Sequence, residues 1–317
     1  MAVGGPRVPA ARRRSQLAHD PAEREDFRPP TCAYATFETT DRRDDARIID
    51  QFQECTMLDG SRRLAAADLL WAAERDRAAI APLTETFPDI DVVDSYEIQL
   101  INIRRRLEAG ATVYGHKVGL SSEVMQKMMG VDEPDYGHLL STMVYAEDEP
   151  IDTAQFCYPR IEVEIGYVLG ETLPGEDCTE ADVLRATEYI VPSIELIDSR
   201  IVDWRIGLAD TIADNASSAG VILGAGRIEP DRVDIGAISA VLYQGDEEIA
   251  RGEAAAVLGD PTRAVAWLAR KVASFGVRLE AGHVILPGSC TRAVDARPGD
   301  VFRADFSDIG SVSVEFK

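Results

Sequence analysis

The stretch "YPRIEVEIGYVLG", residues 158–170, alternates apolar and polar side chains, the period of a β-strand whose successive residues point to opposite faces. Ile161, Val163 and Ile165 fall on one face, and Glu162 and Glu164 lie side by side on the other. Two like charges on adjacent same-face positions repel, and removing either from water unpaired costs several kcal/mol. A cation must stand beside them. A third acid has the same setting: Glu195 in "VPSIELIDSR" is flanked by Ile194 and Leu196 in a run that reads as a core strand. Three carboxylates that leave positions open for water or substrate oxygens describe a hard-cation site, most simply Mg2+ or Mn2+ in octahedral oxygen coordination. The competing reading is a solvent-facing strand edge with Arg160 or Arg200 as ion-pair partner.

Composition narrows the classes of function. The 317 residues are 45% hydrophobic and 28% charged, an ordinary globular balance able to bury a sizeable core. A formal net charge of -22 argues against a nucleic-acid partner, which needs clustered Lys and Arg. No apolar run approaches the roughly 18 residues of a membrane span, and the amino terminus lacks the apolar core of a secretory signal. A cytoplasmic protein is expected. The five cysteines, Cys32, Cys55, Cys157, Cys178 and Cys290, form no CxxC pair, which fits a reducing compartment and no zinc site.

Along the chain, residues 1–56 are rich in Pro, Arg and Ala without helical or strand period and read as a disordered extension or a start-site artefact. Amphipathic helix begins abruptly at Met57, the expected native start. Residues 57–112 read as a helical lead-in, with Tyr96, Leu100, Ile103 and Leu107 on one face and Gly110 closing it. The remainder, 113–317, reads as the catalytic domain. "TVYGHKVGL" is strand-like, "SSEVMQKMMG" a short helix with a serine cap, and "VDEPDYGHLL" a loop. Thr179 and Asp182 form a capping box. From residue 237 hairpin and strand signals dominate, interrupted by a helix opened by Asp260-Pro261 and closed by Gly276. Without βαβ alternation or internal repeat, the fold class is α+β, built around a mixed or antiparallel sheet.

Other residues carry chemistry less plainly. Lys117 in "GHKVGL" is a surface lysine or a fixed positive charge beside a developing enolate. Asp135 in "EPDYGHL" reads as a turn former or a proton shuttle. The polar run "DTIADNASSAG", residues 210–220, holds Asp214, Asn215, Ser217 and Ser218 between apolar strands, as a solvated loop or as hydrogen-bonding groups around a ligand. His116 and His138 lie in these segments, but no two histidines have metal-ligand spacing. No nucleophile elbow, P-loop or dinucleotide-binding fingerprint is present.

The segments "GHKVGLSSEVMQKMMGVDEPDYGHL", "PRIEVEIGYVL", "PSIELIDSRIVDWRIGLADTIADNASSAGVILG" and "AVAWLARKVASFGVRLEAGHVILPGS" together resemble the 2-hydroxypenta-2,4-dienoate hydratases of the fumarylacetoacetate hydrolase superfamily. The likeness extends to the hexadienoate hydratases of bacterial steroid-ring degradation and runs from about residue 60 to the end. It implies a mixed β-roll domain and a homo-oligomer acting on a small 2-hydroxy-2,4-dienoate in aromatic or steroid ring catabolism. It implies a divalent cation at Glu162, Glu164 and Glu195, functional roles at Lys117 and Asp135, and a place for Ser217 in the polar segment around the substrate; in the mechanism expected from it, Asn215 and Ser217 orient the substrate or the attacking water, and Leu139 is expected to line the substrate pocket. The paired His and Glu with which hydrolases of the superfamily activate water have no counterpart here.

The reaction so implied hydrates the dienoate to a 4-hydroxy-2-oxo acid, whose retro-aldol cleavage makes an aldolase a candidate partner. The rival is a 2-oxo-3-hexenedioate (4-oxalocrotonate) decarboxylase, which shares the metal and enolate chemistry. Its diacid substrate needs a cation at the distal end of the pocket. Leu139, Leu140 and Met143 suggest an apolar end there, with Arg292 leaving the question open. A non-enzymatic alternative is an inert partner or metal-dependent binding module.

Overall fold

The computed structural model describes residues 57–317; the readings made for residues 1–56 lie outside them. Three helices come first: α1 (Gly60–Asp76), α2 (Leu83–Thr86) and α3 (Val92–Glu108). Asp59 caps α1 by accepting the Arg62 N–H at 2.9 Å, and a capping box of Asp91 and Asp94 opens α3. Buried Asp94 also accepts from the Leu58 N–H and the Arg63 side chain, which ties α1 to α3. Ala66, Ala67 and Leu70 meet Leu83, Phe87 and Ile98 in a cluster of their own. The expected apolar stripe of α3 is shifted: Tyr96 and Ile103 are buried, but Leu107 is exposed and Ile98 and Gln99 turn inward. Gln99 is drawn in by its amide, which donates to the carbonyls of Tyr136 and Ile212.

The next elements are β1 (Val113–Gly119), α4 (Glu123–Met129), β2 (Asp135–Leu140), β3 (Val144–Tyr145), β4 (Pro159–Leu169), α5 (Glu180–Ala186), β5 (Thr187–Asp198), α6 (Leu208–Ala213) and β6 (Ser218–Leu223). After these come β7 (Ser239–Gln244), β8 (Glu247–Glu253), α7 (Pro261–Ala273), β9 (Val284–Leu286), β10 (Val294–Asp295), β11 (Val301–Phe306) and β12 (Gly310–Glu315). The caps read from sequence at Ser122, Thr179 and Asp260 each accept a backbone N–H. Residues 135–140, expected as loop, instead form β2, paired along its length with β1. Pro134, Gly137 and the short apolar run mask a strand that long-range pairing stabilises.

A mixed sheet runs β2-β1-β9-β4-β5-β6-β3, with β10 beside β4, and a second, antiparallel sheet runs β12-β11-β7-β8. The α+β class with a curled sheet agrees with the sequence. The main core lies between the sheets: Ile161, Val163, Ile165, Ile194 and Leu196 on one side meet Leu242, Phe302, Val312 and Val314, with α7 packed against them. The opposite face of the large sheet curls inward on a separate apolar cluster of Leu139, Val168, Val191, Val221, Val284 and Leu286. Strand alternation sends Glu162, Glu164 and Glu195 to that inner face, beyond the apolar floor.

Candidate active site

The antiparallel register of β4 and β5 puts Glu162 directly opposite Glu195. Directly opposed residues share a face, so the three carboxylates converge, with oxygens within 4.8 Å of one another. On β1 Lys117 faces the same interior, Nζ 3.5 Å from Glu195 Oε2. Gly119 pairs with Asp135; a Cβ at Gly119 would stand 2.1 Å from Asp135 Oδ1 and 3.4 Å from Lys117 Nζ. The missing side chain is thus what lets the acid and the ammonium approach one point. The turn-former reading of Asp135 gives way to a buried strand residue with both oxygens lacking a hydrogen-bond partner.

These groups are deeply desolvated. Glu164 and Glu195 are 0% exposed, Lys117 3% and Asp135 1%, whereas Glu162 keeps partial exposure. Burial pushes the Glu195 carboxyl up to about 8 against the opposing pull of Lys117. Glu164 rises well above the usual carboxylate range through burial and then through repulsion by Glu195 and Glu162. Glu162 and Asp135 also rise through burial, with Lys117 opposing. Burial disfavours the Lys117 ammonium too, but the surrounding acids, Glu195 foremost, hold it protonated. One lysine cannot satisfy four acids. Glu164 Oε2 takes the Gly288 N–H at 2.7 Å, but Glu164 Oε1 and both Glu195 oxygens are buried without a hydrogen-bond partner. An all-oxygen donor set with unfilled buried lone pairs fits a hard divalent cation.

The ion-pair alternative fares poorly. Arg160 bonds Asp295 at 2.9 Å and lies over the Trp204 ring at 4.5 Å, and Arg200 bonds Asp214 at 2.5 Å. Neither is an ion-pair partner of the glutamates.

The polar run divides. Residues 208–213 form α6 and Asn215–Ser217 a tight 3-10 turn, in which Asn215, Ala216 and Ser217 all have left-handed φ of 56, 50 and 57°. Such a run costs on the order of 1–2 kcal/mol per residue, so it must be held. Asn215 does so with its side chain: its amide donates to the His138 carbonyl at 2.9 Å and accepts the His138 N–H at 2.8 Å. Its carbonyl oxygen lies 2.3 Å from where a Cβ of Gly137 would be, which forces glycine opposite Lys117. Asn215, expected to contact substrate, therefore has its amide committed to β2. Arg200, offered by the sequence as an ion-pair partner of the glutamates, instead holds this turn: its backbone N–H and Nε donate to the two Asp214 carboxylate oxygens and its Nη2 to the Asp214 carbonyl. Ser217 is buried at 3% exposure with a hydroxyl free of partners.

Leu139 lies in the apolar floor, whereas Leu140 and Met143 point away to pack on Ile103. Only Leu139 of that trio shares the carboxylates' face. His116 and His138 are cross-strand partners on the opposite face, ring centroids 4.8 Å apart. Alternation removes them from the site although their neighbours in sequence belong to it. Cys157, Cys178 and Cys290 are free thiols.

Comparison with known proteins places these features in context. The family model described as fumarylacetoacetate (FAA) hydrolase C-terminal matches residues 114–317. The chain is 44% identical over 255 residues to the "2-keto-4-pentenoate hydratase" of Paraburkholderia xenovorans (strain LB400), covering 80% of this chain and 95% of that protein. It is 43% identical over 266 residues to the "2-oxo-hept-4-ene-1,7-dioate hydratase" of Escherichia coli, covering 82% of this chain and 100% of that one. Among solved structures, the 4-oxalocrotonate decarboxylase from Pseudomonas putida G7, complexed with magnesium and adipate, superimposes with a TM-score of 0.79 at 35% identity. That match covers 82% of this chain and 99% of that one.

Proposed function

Since the chain belongs to the fumarylacetoacetate hydrolase family, we propose that it is a divalent-metal-dependent hydro-lyase that hydrates a 2-hydroxypenta- or 2-hydroxyhexa-2,4-dienoate to the 4-hydroxy-2-oxo acid. The observation that carries this reading is the convergence of Glu162, Glu164 and Glu195 opposite Lys117 in a desolvated interior. The three glutamates would hold Mg2+ or Mn2+, which when bound acts as a Lewis acid towards the 2-oxo-acid headgroup.

The chain's own residues account for the rest. Lys117, kept protonated by its acidic neighbours, faces the negative charge that collects on the C2 oxygen as the enolate forms. Asp135, with a raised pKa beside Lys117, delivers a proton to C5 as the enol proton leaves, giving the 2-oxo-3-enoate. Water then adds at C4 and a proton at C3, so one water is gained overall. Ser217, with its free buried hydroxyl, orients substrate or the attacking water. The apolar floor around Leu139 excludes bulk water and suits an uncharged substrate tail.

A decarboxylase reading draws support from the likeness to the 4-oxalocrotonate decarboxylase and from Arg160, two residues from Glu162 on the same strand face, which could meet a distal carboxylate. The proposed enzyme is a homo-oligomer whose product suits a downstream aldolase.

The test is loss of dienoate ultraviolet absorbance by the purified chain with Mg2+, Mn2+ or chelator, run beside a diacid substrate with CO2 capture. Metal-dependent turnover of the monoacid without CO2 supports hydration. CO2 release from the diacid, without monoacid turnover, would replace it by decarboxylation.

A further inference from the structure

A cleft of about 470 Å3 shares no lining residue with the carboxylate site. Its flat walls are Trp71, Tyr145 and Phe156, and Arg77, Arg200 and Ser218 contribute polar groups. The volume falls in the range of small-ligand pockets, roughly 300–1,000 Å3.

The other charges lining it are spoken for. Glu74 pairs with Arg106, which also lies 5.3 Å over the Trp71 ring, and Arg75 pairs with Asp76. Three donors are left over. Arg77 has no carboxylate within ion-pair distance among the described residues; one guanidinium nitrogen donates to the Arg75 carbonyl. Arg200 spends Nε and Nη2 on Asp214 and is ion-paired through its outer Nη1 with Asp198 Oδ2 at 3.9 Å, so its charge is matched but Nη1 makes no hydrogen bond. The Ser218 hydroxyl is 1% exposed and has no partner. A buried hydroxyl without an acceptor costs free energy that a bound ligand can return.

Two guanidinium groups and a hydroxyl, all short of acceptors, select an anion, and the forked geometry of Arg matches a carboxylate. The aromatic walls select a planar apolar body, since rings gain from stacking on flat hydrocarbon. In a chain of net charge -22, with Glu74 and Asp198 also lining the cleft, long-range attraction does not gather anions, so hydrogen-bonding contact must hold the ligand. We propose that this cleft is a second binding site, for a small flat organic carboxylate of the aromatic monocarboxylate type. The site is independent of the proposed reaction.

Benzoate is the probe. Titrated into the full chain, it should bind saturably at one site per chain by calorimetry and change the emission of Trp71. Acetate, which lacks the flat body, and inorganic phosphate should each bind at least about tenfold more weakly. Arg77→Glu and Trp71→Leu should each weaken benzoate by about tenfold or more, with the melting temperature unchanged. Arg77 is exposed and Trp71 only partly buried, so both variants should fold; Arg200 is left alone because it anchors the Asp214 turn. Absence of saturable benzoate binding, or binding indifferent to Arg77→Glu, overturns the proposal. Phosphate binding as tightly as benzoate overturns the ligand class. Failure of benzoate to bind a chain that sediments as an oligomer also overturns it, and would leave the cleft to an acidic segment of a second copy.

Discussion

Replacing Glu195 by Gln separates the cost of the acidic cluster from its use. Burial pushes the Glu195 carboxyl up to about 8 in the native chain from an ordinary 4.5. At pH 7 that difference corresponds to about 3 kcal/mol of lost native stability, at roughly 1.4 kcal/mol per tenfold. The native state binds this proton more tightly than the unfolded chain does. The cost is therefore absent below pH 4.5, grows as pH rises towards 8, and is constant above. Glutamine keeps the shape and removes the titration. The gain is reduced by what Lys117 loses, because its Nζ is 3.5 Å from Glu195 Oε2, although Glu162, Asp135 and Glu164 still act on it. In chelator at pH 8, urea denaturation should show Glu195→Gln more stable than the parent by about 1–3 kcal/mol. Saturating Mg2+ should reverse the order: the parent gains stability by mass action while the variant, short of one ligand, gains little and does not turn over. A variant less stable than the parent in chelator would refute the idea that burying the ionised Glu195 carboxylate, beside Glu162, costs the fold stability.

Other outcomes follow from the same geometry. Lys117→Ala should lower kcat by about 100-fold or more with little change in KM; an effect confined to KM would make Lys117 a binding residue. Asp135→Asn should remove one limb of the pH–rate profile, and an unchanged profile would take Asp135 out of proton transfer. Asn215→Ala deletes both hydrogen bonds to His138 and should cost about 2–4 kcal/mol in urea melts. Burial holds His138 down at about 4 and His116 well below 6.5, so at these two sites the native chain binds fewer protons than the unfolded one, against Asp214, raised to about 7, which binds its proton more tightly. With Mg2+ present to occupy the carboxylates, the urea midpoint should fall as pH drops from 6.5 towards 4, and a flat profile would contradict the assignment.

Much of the site was legible because strand alternation is local. Glu162 and Glu164 on one face and Ile161, Val163 and Ile165 on the other follow from a period of two, and an unpaired acid cluster in so apolar a strand already demands a cation. The cap at Ser122, the box at Thr179 and the helix opened at Asp260 are likewise short-range hydrogen-bonding patterns. The segments around Lys117, Glu162, Glu195 and Leu268 were also enough to indicate the family. What local sequence hides has a common origin. The neighbours Pro134 and Gly137 suggest a loop at Asp135, but β1 lies alongside and makes it a strand. Residue type offers Asn215 hydrogen-bonding capacity, but not that β2 takes both ends of its amide.

The sequence by itself determined which residues could bear the chemistry and which side of each strand they occupy, since the backbone's own geometry imposes both. Tertiary structure alone decided which strands became neighbours. That choice set Glu195 against Glu162, aimed Lys117 at them, used the gaps at Gly119 and Gly137 to bring Asp135 and Asn215 close, and gave Arg200 to Asp214. Contacts between residues distant in the chain depend on the packing of the whole core, where many weak interactions select one arrangement that no short stretch encodes.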